Sequence, residues 1–314
     1  MSLKVLVPDS APVELTMPDG ATAVTYAIAK RIPAEHRDAE VLVLWGNSAE
    51  RLAEAAADLP NLRLVQTLAA GPDAALAAGF TPSAAIASGR GLHDGPVAEH
   101  TLALALAAAR RIPDLVRAHD EHVWRGDLGG LQPVSTEGTF RTLRDARVTV
   151  WGFGSIASAL APLLTALGAQ VTGVANTAGE RGGYPVIAGD DIDALLPETD
   201  LLIMVLPALP ETDHILGVER LALLPNHAWV INVGRGNAID EAGLIAALES
   251  GTIGGACLDV TSVEPLPADN PLWSAPNLFI TPHAAGGRPL GSAELVAANI
   301  RAVLKGAPVR NRVR

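Results

Sequence analysis

Short aliphatic runs recur along the first ninety residues at Val5 to Val7, Val41 to Trp45, Leu62 to Val65 and Ala84 to Ala87, each bounded by turn residues. An Ala-rich helical segment, Glu50 to Leu59, separates the second run from the third. Runs this short and this apolar, alternating with helical pattern, predict buried parallel strands covered by helices. From Gly89 to Gly95 the chain is glycine-rich and polar, after which Pro96 suits the first turn of a helix with Asp94 as its expected cap. That helix should run to about Arg111, break at Pro113 and resume as far as His119. A second series follows at Val148 to Trp151, Val171 to Val174, Leu201 to Leu206, Trp229 to Val233, Gly255 to Leu258 and Leu278 to Ile280. Six strands suit a full dinucleotide fold. The helical pattern from Pro289 to Leu304 is expected to return to the first domain. The predicted class is α/β with two doubly wound parallel-sheet domains, residues 1–92 with 288–314 and an inserted domain at 93–287.

With 314 residues, 49% of them hydrophobic and 18% charged, the chain can bury two sizeable cores. Its 23 Lys and Arg against 34 Asp and Glu give a net charge of −11, the wrong sign for gripping a phosphate backbone or anionic lipid. Nucleic acid is therefore not an expected partner. The longest apolar stretches, Leu102 to Ala109 and Leu201 to Pro210, fall short of the roughly 20 residues of a membrane helix. The run at Val5 ends at Pro8, before a signal-peptide core can form, so a cytoplasmic location without a membrane partner is expected. A single cysteine, Cys257, excludes an internal disulfide and a multi-cysteine zinc site. His119 and His122 can share a helix face, but no third ligand accompanies them, and no metal is expected.

Gly152-Phe153-Gly154-Ser155-Ile156-Ala157 follows a predicted strand and opens a predicted helix, with Ile156, Leu160, Leu163 and Leu167 on one face. In that context Gly152 serves a tight turn, Gly154 lets a pyrophosphate approach the backbone, and Ala157 takes the helix-packing position. Free N–H groups at the helix start would meet the anion. The acidic residue that holds the adenosine ribose about 20 positions on is absent, because the second strand ends Val174-Ala175-Asn176-Thr177. Without that carboxylate a 2′-phosphate meets no repulsion, while Asn176, Thr177 and Arg181 offer hydrogen bonds and positive charge. The cofactor is read as NADP or NAD, with the balance toward NADP.

Arg235 in Asn232-Val233-Gly234-Arg235-Gly236, Glu264 in Asp259-Val260-Thr261-Ser262-Val263-Glu264-Pro265 and His283 in Thr281-Pro282-His283-Ala284-Ala285-Gly286 each fall just past a predicted strand. Open α/β sheets bind ligands at that edge. An arginine, a carboxylate and a histidine there supply a carboxylate clamp, a proton donor and a group that keeps the donor charged. These motifs, with Pro210-Glu211-Thr212 between them, resemble in kind and order the D-isomer-specific 2-hydroxyacid dehydrogenases over essentially the whole chain. The resemblance implies a Rossmann nucleotide domain inserted into a flavodoxin-like substrate domain. It also implies hydride transfer between NAD(P)H and a small 2-keto or D-2-hydroxy acid such as glyoxylate, hydroxypyruvate or pyruvate.

On the same resemblance, His283 is the acid in reduction and the base in oxidation, Glu264 is its partner, and Arg235 binds the substrate carboxylate. Phe153, Ser155 and Ile156 join the loop glycines at the cofactor, with Thr212, Val233, Gly234, Arg235, His283 and Ala285. Leu206-Pro207 would pass beneath the cofactor, and Asp259 would meet the nicotinamide carboxamide. In the first domain, Leu68-Ala69-Ala70-Gly71-Pro72-Asp73 resembles the loop whose N–H groups, here Ala70 and Gly71, hold the substrate carboxylate. Family members are commonly dimers, so a homodimer is expected. His36, His100, His119, His122, His214 and His227 match no catalytic position of the family. The chain departs from its pattern at Ala157, Ala175 and Thr261. Two rival readings share the architecture: a nucleotide-sensing corepressor-like binding protein, and a formate or phosphonate dehydrogenase.

Overall fold

The aliphatic runs are strands covered on both faces. In the computed structural model, which describes residues 2–11, 16–129 and 138–314, five parallel strands form a first sheet. They are β1 (Leu3–Pro8), β2 (Ala21–Tyr26), β3 (Val41–Leu44), β4 (Leu64–Thr67) and β5 (Ala85–Ala87), in the order β2-β1-β3-β4-β5. That is the flavodoxin-like doubly wound order. Every residue of β3 and β4 is buried; β3 is continuously apolar, while β4 ends in Gln66 and Thr67, and the buried Gln66 amide is satisfied by Thr67 O, Ala87 O and Ser88 O. β2 carries no such run, since its edge position leaves Thr22, Ala23 and Thr25 exposed. The helices α1 (Ala49–Asp58) and α2 (Asp73–Ala77) follow β3 and β4.

The chain divides into two compact units, Met1–His93 with Gly286–Arg314, and Asp94–Ala285. The second opens with α3 (Asp94–Ala109) and α4 (Ile112–Asp120). They part where Arg111 adopts a left-handed conformation (φ 53°), with Pro113 in the first turn of α4. Asp94 is the first helical residue rather than the one before it, and its Oδ1 accepts from Ser155 Oγ at 3.0 Å.

The second sheet contains β6 (Arg147–Trp151), β7 (Gln170–Ala175), β8 (Gly179–Arg181), β9 (Tyr184–Ala188), β10 (Leu201–Met204), β11 (Trp229–Asn232), β12 (Gly255–Leu258) and β13 (Leu278–Ile280). Their order is β13-β12-β11-β10-β6-β7-β9-β8, parallel except for the β8–β9 hairpin. The chain reverses its direction of sheet growth between β6 and β10, the switch point at which such sheets bind ligands. Covering helices are α5 (Ser155–Ala166), α6 (Ile192–Leu195), α7 (Val218–Leu221) and α8 (Glu241–Glu249). Alternate strand residues feed the two faces: Val148, Val150, Leu201 and Ile203 pack in one core, Trp151, Leu202, Met204 and Val230 in the other.

The buried stripe of α5 is rotated from the expected one. Ala157, Leu160, Ala161 and Leu164 face the core, while Leu163 and Leu167 are 40% and 43% exposed. The small alanines admit α3, which packs directly on α5, and this moves the leucines outward. The last helix, α9 (Ser292–Lys305), places Leu295, Val296, Ile300 and Val303 in the core built on Leu3, Val5, Val41 and Leu64. Among the described residues no helix is long and apolar enough to cross a membrane.

Candidate active site

The nucleotide loop leaves β6 at Gly152, whose φ is 99° and whose added Cβ would lie 2.4 Å from the Val205 carbonyl oxygen. Only glycine fits this approach. The Gly152 and Phe153 N–H groups both donate to Val174 O at 2.9 Å, and the Gly154 N–H donates to Gly152 O at 2.8 Å. The N–H groups of Ser155 and Ile156, in the first turn of α5, have no acceptor within the helix and remain for an anion. A Cβ at Gly154 would meet nothing within 4 Å, so the space before them is open.

Phe153, expected in the loop at the cofactor, turns its side chain inward: it is 1% exposed and its ring lies against Gly173, where a Cβ would come within 2.4 Å. Its carbonyl accepts from Arg181 Nη1 at 2.7 Å. Arg181 Nη2 donates to Thr177 O at 3.2 Å and Thr177 Oγ1 at 3.1 Å, so the guanidinium links the β8–β9 hairpin to the loop. Asn176 and Thr177 are exposed beside it, and Ala175 is half-buried. On the adjacent strand end, Leu206 is nearly buried and a Cβ at Gly234 would lie 2.6 Å from its backbone N. Thr212 Oγ1 donates to Pro207 O at 2.7 Å and accepts the Leu209 N–H at 3.0 Å, which holds the Pro207 turn and keeps this hydroxyl within the chain.

Arg235, Glu264 and His283 follow β11, β12 and β13, three neighbouring parallel strands, and so share one sheet edge. Asn232 shapes the arginine turn: its Oδ1 accepts the Gly234 N–H at 3.0 Å and its Nδ2 donates to Arg235 O at 2.9 Å. Val233 lies buried within that turn. A Cβ at Gly236 would stand 1.9 Å from the Thr261 carbonyl carbon, so the arginine turn and the loop carrying Glu264 pack backbone on backbone. Glu264 Oε1 accepts the Thr261 N–H at 3.0 Å, and its Oε2 lies 2.7 Å from His283 Nδ1. The two side chains are 50% (His283) and 37% (Glu264) exposed. With Nδ1 turned to the carboxylate, Nε2 is the ring nitrogen left for a substrate.

His283 has a left-handed backbone, φ 51°, which a non-glycine residue keeps only when its surroundings hold it. Asp259 does much of this. It is 1% exposed; its Oδ1 accepts Thr281 Oγ1 at 2.6 Å and the Ala284 N–H at 2.8 Å, and its Oδ2 accepts the Ala285 N–H at 3.1 Å. Its carbonyl accepts the His283 N–H at 2.8 Å. This carboxylate, expected at the nicotinamide carboxamide, is engaged by the loop that carries His283, and Ala285 is buried with it.

In the first unit, the loop after β4 is held from three sides. Thr67 Oγ1 accepts the Ala69 N–H at 3.1 Å, Ala69 O accepts the Gly89 N–H at 2.8 Å, and His93 Nε2 lies 2.7 Å from Leu68 O. His93 also stacks on Trp45, with ring centroids 5.6 Å apart. Ala70 is exposed and Gly71 half-exposed, and neither N–H has a partner among the described residues.

Residues 102–285 match the family model of the D-isomer specific 2-hydroxyacid dehydrogenase NAD binding domain. The chain belongs to this family. It is 34% identical to the D-3-phosphoglycerate dehydrogenase of Synechocystis sp. over 223 residues, 69% of this chain and 38% of that protein. It is 36% identical to glyoxylate/hydroxypyruvate reductase A of Salmonella newport over 174 residues, 55% of this chain and 56% of that protein. A D-isomer specific 2-hydroxyacid dehydrogenase from Xanthobacter autotrophicus Py2, solved with NADPH and MES, superposes with TM-score 0.80 at 31% identity, covering 100% of this chain and 98% of that one.

In this family member two of the groups that orient the site lie inside the quoted motifs, but their orienting contacts leave no pattern of their own. Asn232 and Thr261 act through one amide or one backbone N–H, and the β8–β9 hairpin that delivers Arg181 is short and exposed. Periodicity has no purchase on such features.

Proposed function

We propose that this D-2-hydroxyacid dehydrogenase family member reduces a small 2-keto acid, of the glyoxylate or hydroxypyruvate kind, with NADPH. The observation that carries the reading is the 2.7 Å contact of His283 Nδ1 with Glu264 Oε2 on an edge that also bears Arg235. The pair leaves Nε2–H to protonate a keto oxygen, while Glu264 balances the charge of the protonated ring. Arg235 offers a guanidinium to the substrate carboxylate and orients the carbonyl beside it. Ala70 and Gly71 are the proposed carboxylate-binding residues of the first unit.

The residues present fit a dinucleotide. The Ser155 and Ile156 N–H groups face open space for a pyrophosphate, and Arg181 with Asn176 and Thr177 suits a 2′-phosphate where family members that prefer NAD carry an acid. The Xanthobacter relative, solved with NADPH, supports the same choice. When bound, the reduced nicotinamide supplies the hydride. The unit Asp94–Ala285 is proposed as the nucleotide domain and the first unit as the substrate domain. A cytoplasmic setting belongs to the reading, since the reduced dinucleotide pool is intracellular. So does a homodimer, because Ile112, Leu115 and Val116 on α4 and the 96% exposed Trp124 leave apolar surface for a second copy.

The test is the initial rate with glyoxylate, hydroxypyruvate and phenylpyruvate, each with NADPH and with NADH. Turnover with NADPH preferred is expected, and Arg181→Ala should lower that preference about tenfold or more. Cofactor binding without any turnover would move the reading to a nucleotide sensor.

A further inference from the structure

His100 belongs to no motif of the site, yet it reaches the carboxylate that organises the His283 loop. From α3 its Nε2 lies 3.1 Å from Thr281 Oγ1 and 3.2 Å from Asp259 Oδ1. The side chain is 22% exposed, and the carboxylate it meets is 1% exposed. A count of protons assigns the imidazole's state. Asp259 only accepts, and the single hydroxyl proton of Thr281 goes to Asp259 Oδ1 at 2.6 Å, so both contacts require a proton on His100 Nε2. His100 is a donor here, shared between the two oxygens.

We propose that His100 is a positioning residue for the reaction: its Nε2–H locks Asp259 and Thr281, and through them the left-handed loop that sets His283 against Glu264. The chain of contacts is continuous. His100 Nε2 meets Asp259 Oδ1, the same oxygen accepts the Ala284 N–H at 2.8 Å, and Oδ2 accepts the Ala285 N–H at 3.1 Å. These two N–H groups are the first after His283. With the histidine donor removed, Asp259 and Thr281 gain a rotational freedom that the His283 backbone, at φ 51°, does not tolerate without moving. The role is distinct from packing, because a side chain of similar bulk without an N–H cannot perform it. It rests on the proposed reductase reading only in its kinetic consequence.

The experiment compares wild type with His100→Leu and His100→Gln. In His100→Leu, reductive kcat with glyoxylate and NADPH is expected to fall about ten- to hundredfold, the cost of a misplaced acid. KM for the keto acid and the NADPH dissociation constant, read by cofactor fluorescence, should change less than about threefold. His100→Gln, whose amide still offers an N–H, should recover to within about threefold of wild type. Equal losses in the two variants, or an unchanged kcat in His100→Leu, would overturn the proposal. Thr281→Val keeps the shape and removes the hydroxyl link, so it gives the same reading if His100→Leu does not fold. Crystal structures of the variants decide independently of turnover. The His283 to Glu264 contact is expected to open in His100→Leu or Thr281→Val and to persist in His100→Gln, and an unmoved loop in the former refutes the role. Wild-type inactivity toward every 2-keto acid would refute the reductase reading alone.

Discussion

Replacing Glu264 by glutamine tests the proposed proton donor directly, because the geometry leaves an amide no satisfactory orientation. Glu264 receives two donors on two oxygens, the Thr261 N–H at 3.0 Å and His283 Nδ1 at 2.7 Å. A glutamine that turns its oxygen to His283 points its NH2 at the Thr261 N–H. Turned the other way, it points the NH2 at Nδ1 and opposes a proton there. Either way the protonated imidazole, the form that delivers a proton in reduction, loses support. A unit charge 2.7 Å from the ring is worth about 1.5 kcal/mol in water and about 6 kcal/mol at the dielectric of a protein surface. Because the side chains are 50% and 37% exposed, screening favours the lower part of that range, about 2–3 kcal/mol. At 1.36 kcal/mol per decade this is about a 30- to 160-fold loss of kcat/KM. Steady-state reduction of glyoxylate with NADPH measures it, with circular dichroism to confirm the fold. Oxidation of the hydroxy acid should fall by a comparable factor, since the enzyme cannot move the equilibrium. A folded Glu264→Gln enzyme within about threefold of wild type would refute the donor role drawn from this contact.

Three further outcomes follow from the packing. Gly152→Ala places a Cβ 2.4 Å from Val205 O at φ 99°, and should destabilise the chain by about 2–4 kcal/mol in urea unfolding and abolish dinucleotide binding; an unshifted midpoint contradicts this. Burial of Asp200 would raise its pKa, but hydrogen bonds from Arg147 and His227 outweigh that and hold the carboxyl below its ordinary value. Its stabilisation is then fully present above about pH 4 and lost as pH falls through the depressed native value. Asp200→Asn should cost about 2 kcal/mol at neutral pH, with the gap narrowing below pH 4; a gap equal at both ends opposes the assignment. Burial pushes the Cys257 thiol up to about 12, so a disulfide reagent at pH 8 should label it only on unfolding, and stoichiometric labelling of the native protein would show otherwise.

The chain alone carries a legible sign of whatever leaves a local signature. A strand buried on both faces is mostly apolar, so β3, β10 and β12 were visible as whole runs, and β4 and β11 as runs that end in the polar Gln66, Thr67 and Asn232. A loop that turns tightly at a strand end must carry glycine, which marked Gly152 and the switch-point site. Arg235, Glu264 and His283 were recognisable because each sits within a few residues of a strand end, and the strand order that makes them neighbours follows from the fold class. Edge strands β2 and β8, half in solvent, had no such constraint and left no pattern.

The sequence by itself determined the alternation of strand and helix, the glycine turns and the chemical identity of the site residues. Each of these is a property of a few adjacent positions. Only the tertiary structure decided that Phe153 turns into the core, that α5 presents its alanines, that Asp259 serves the His283 loop, and that His100 meets Thr281 across 181 positions. Such contacts are set by which surfaces the packed helices and sheet bring together, and a hydrogen bond spanning that separation imposes no periodicity on either end.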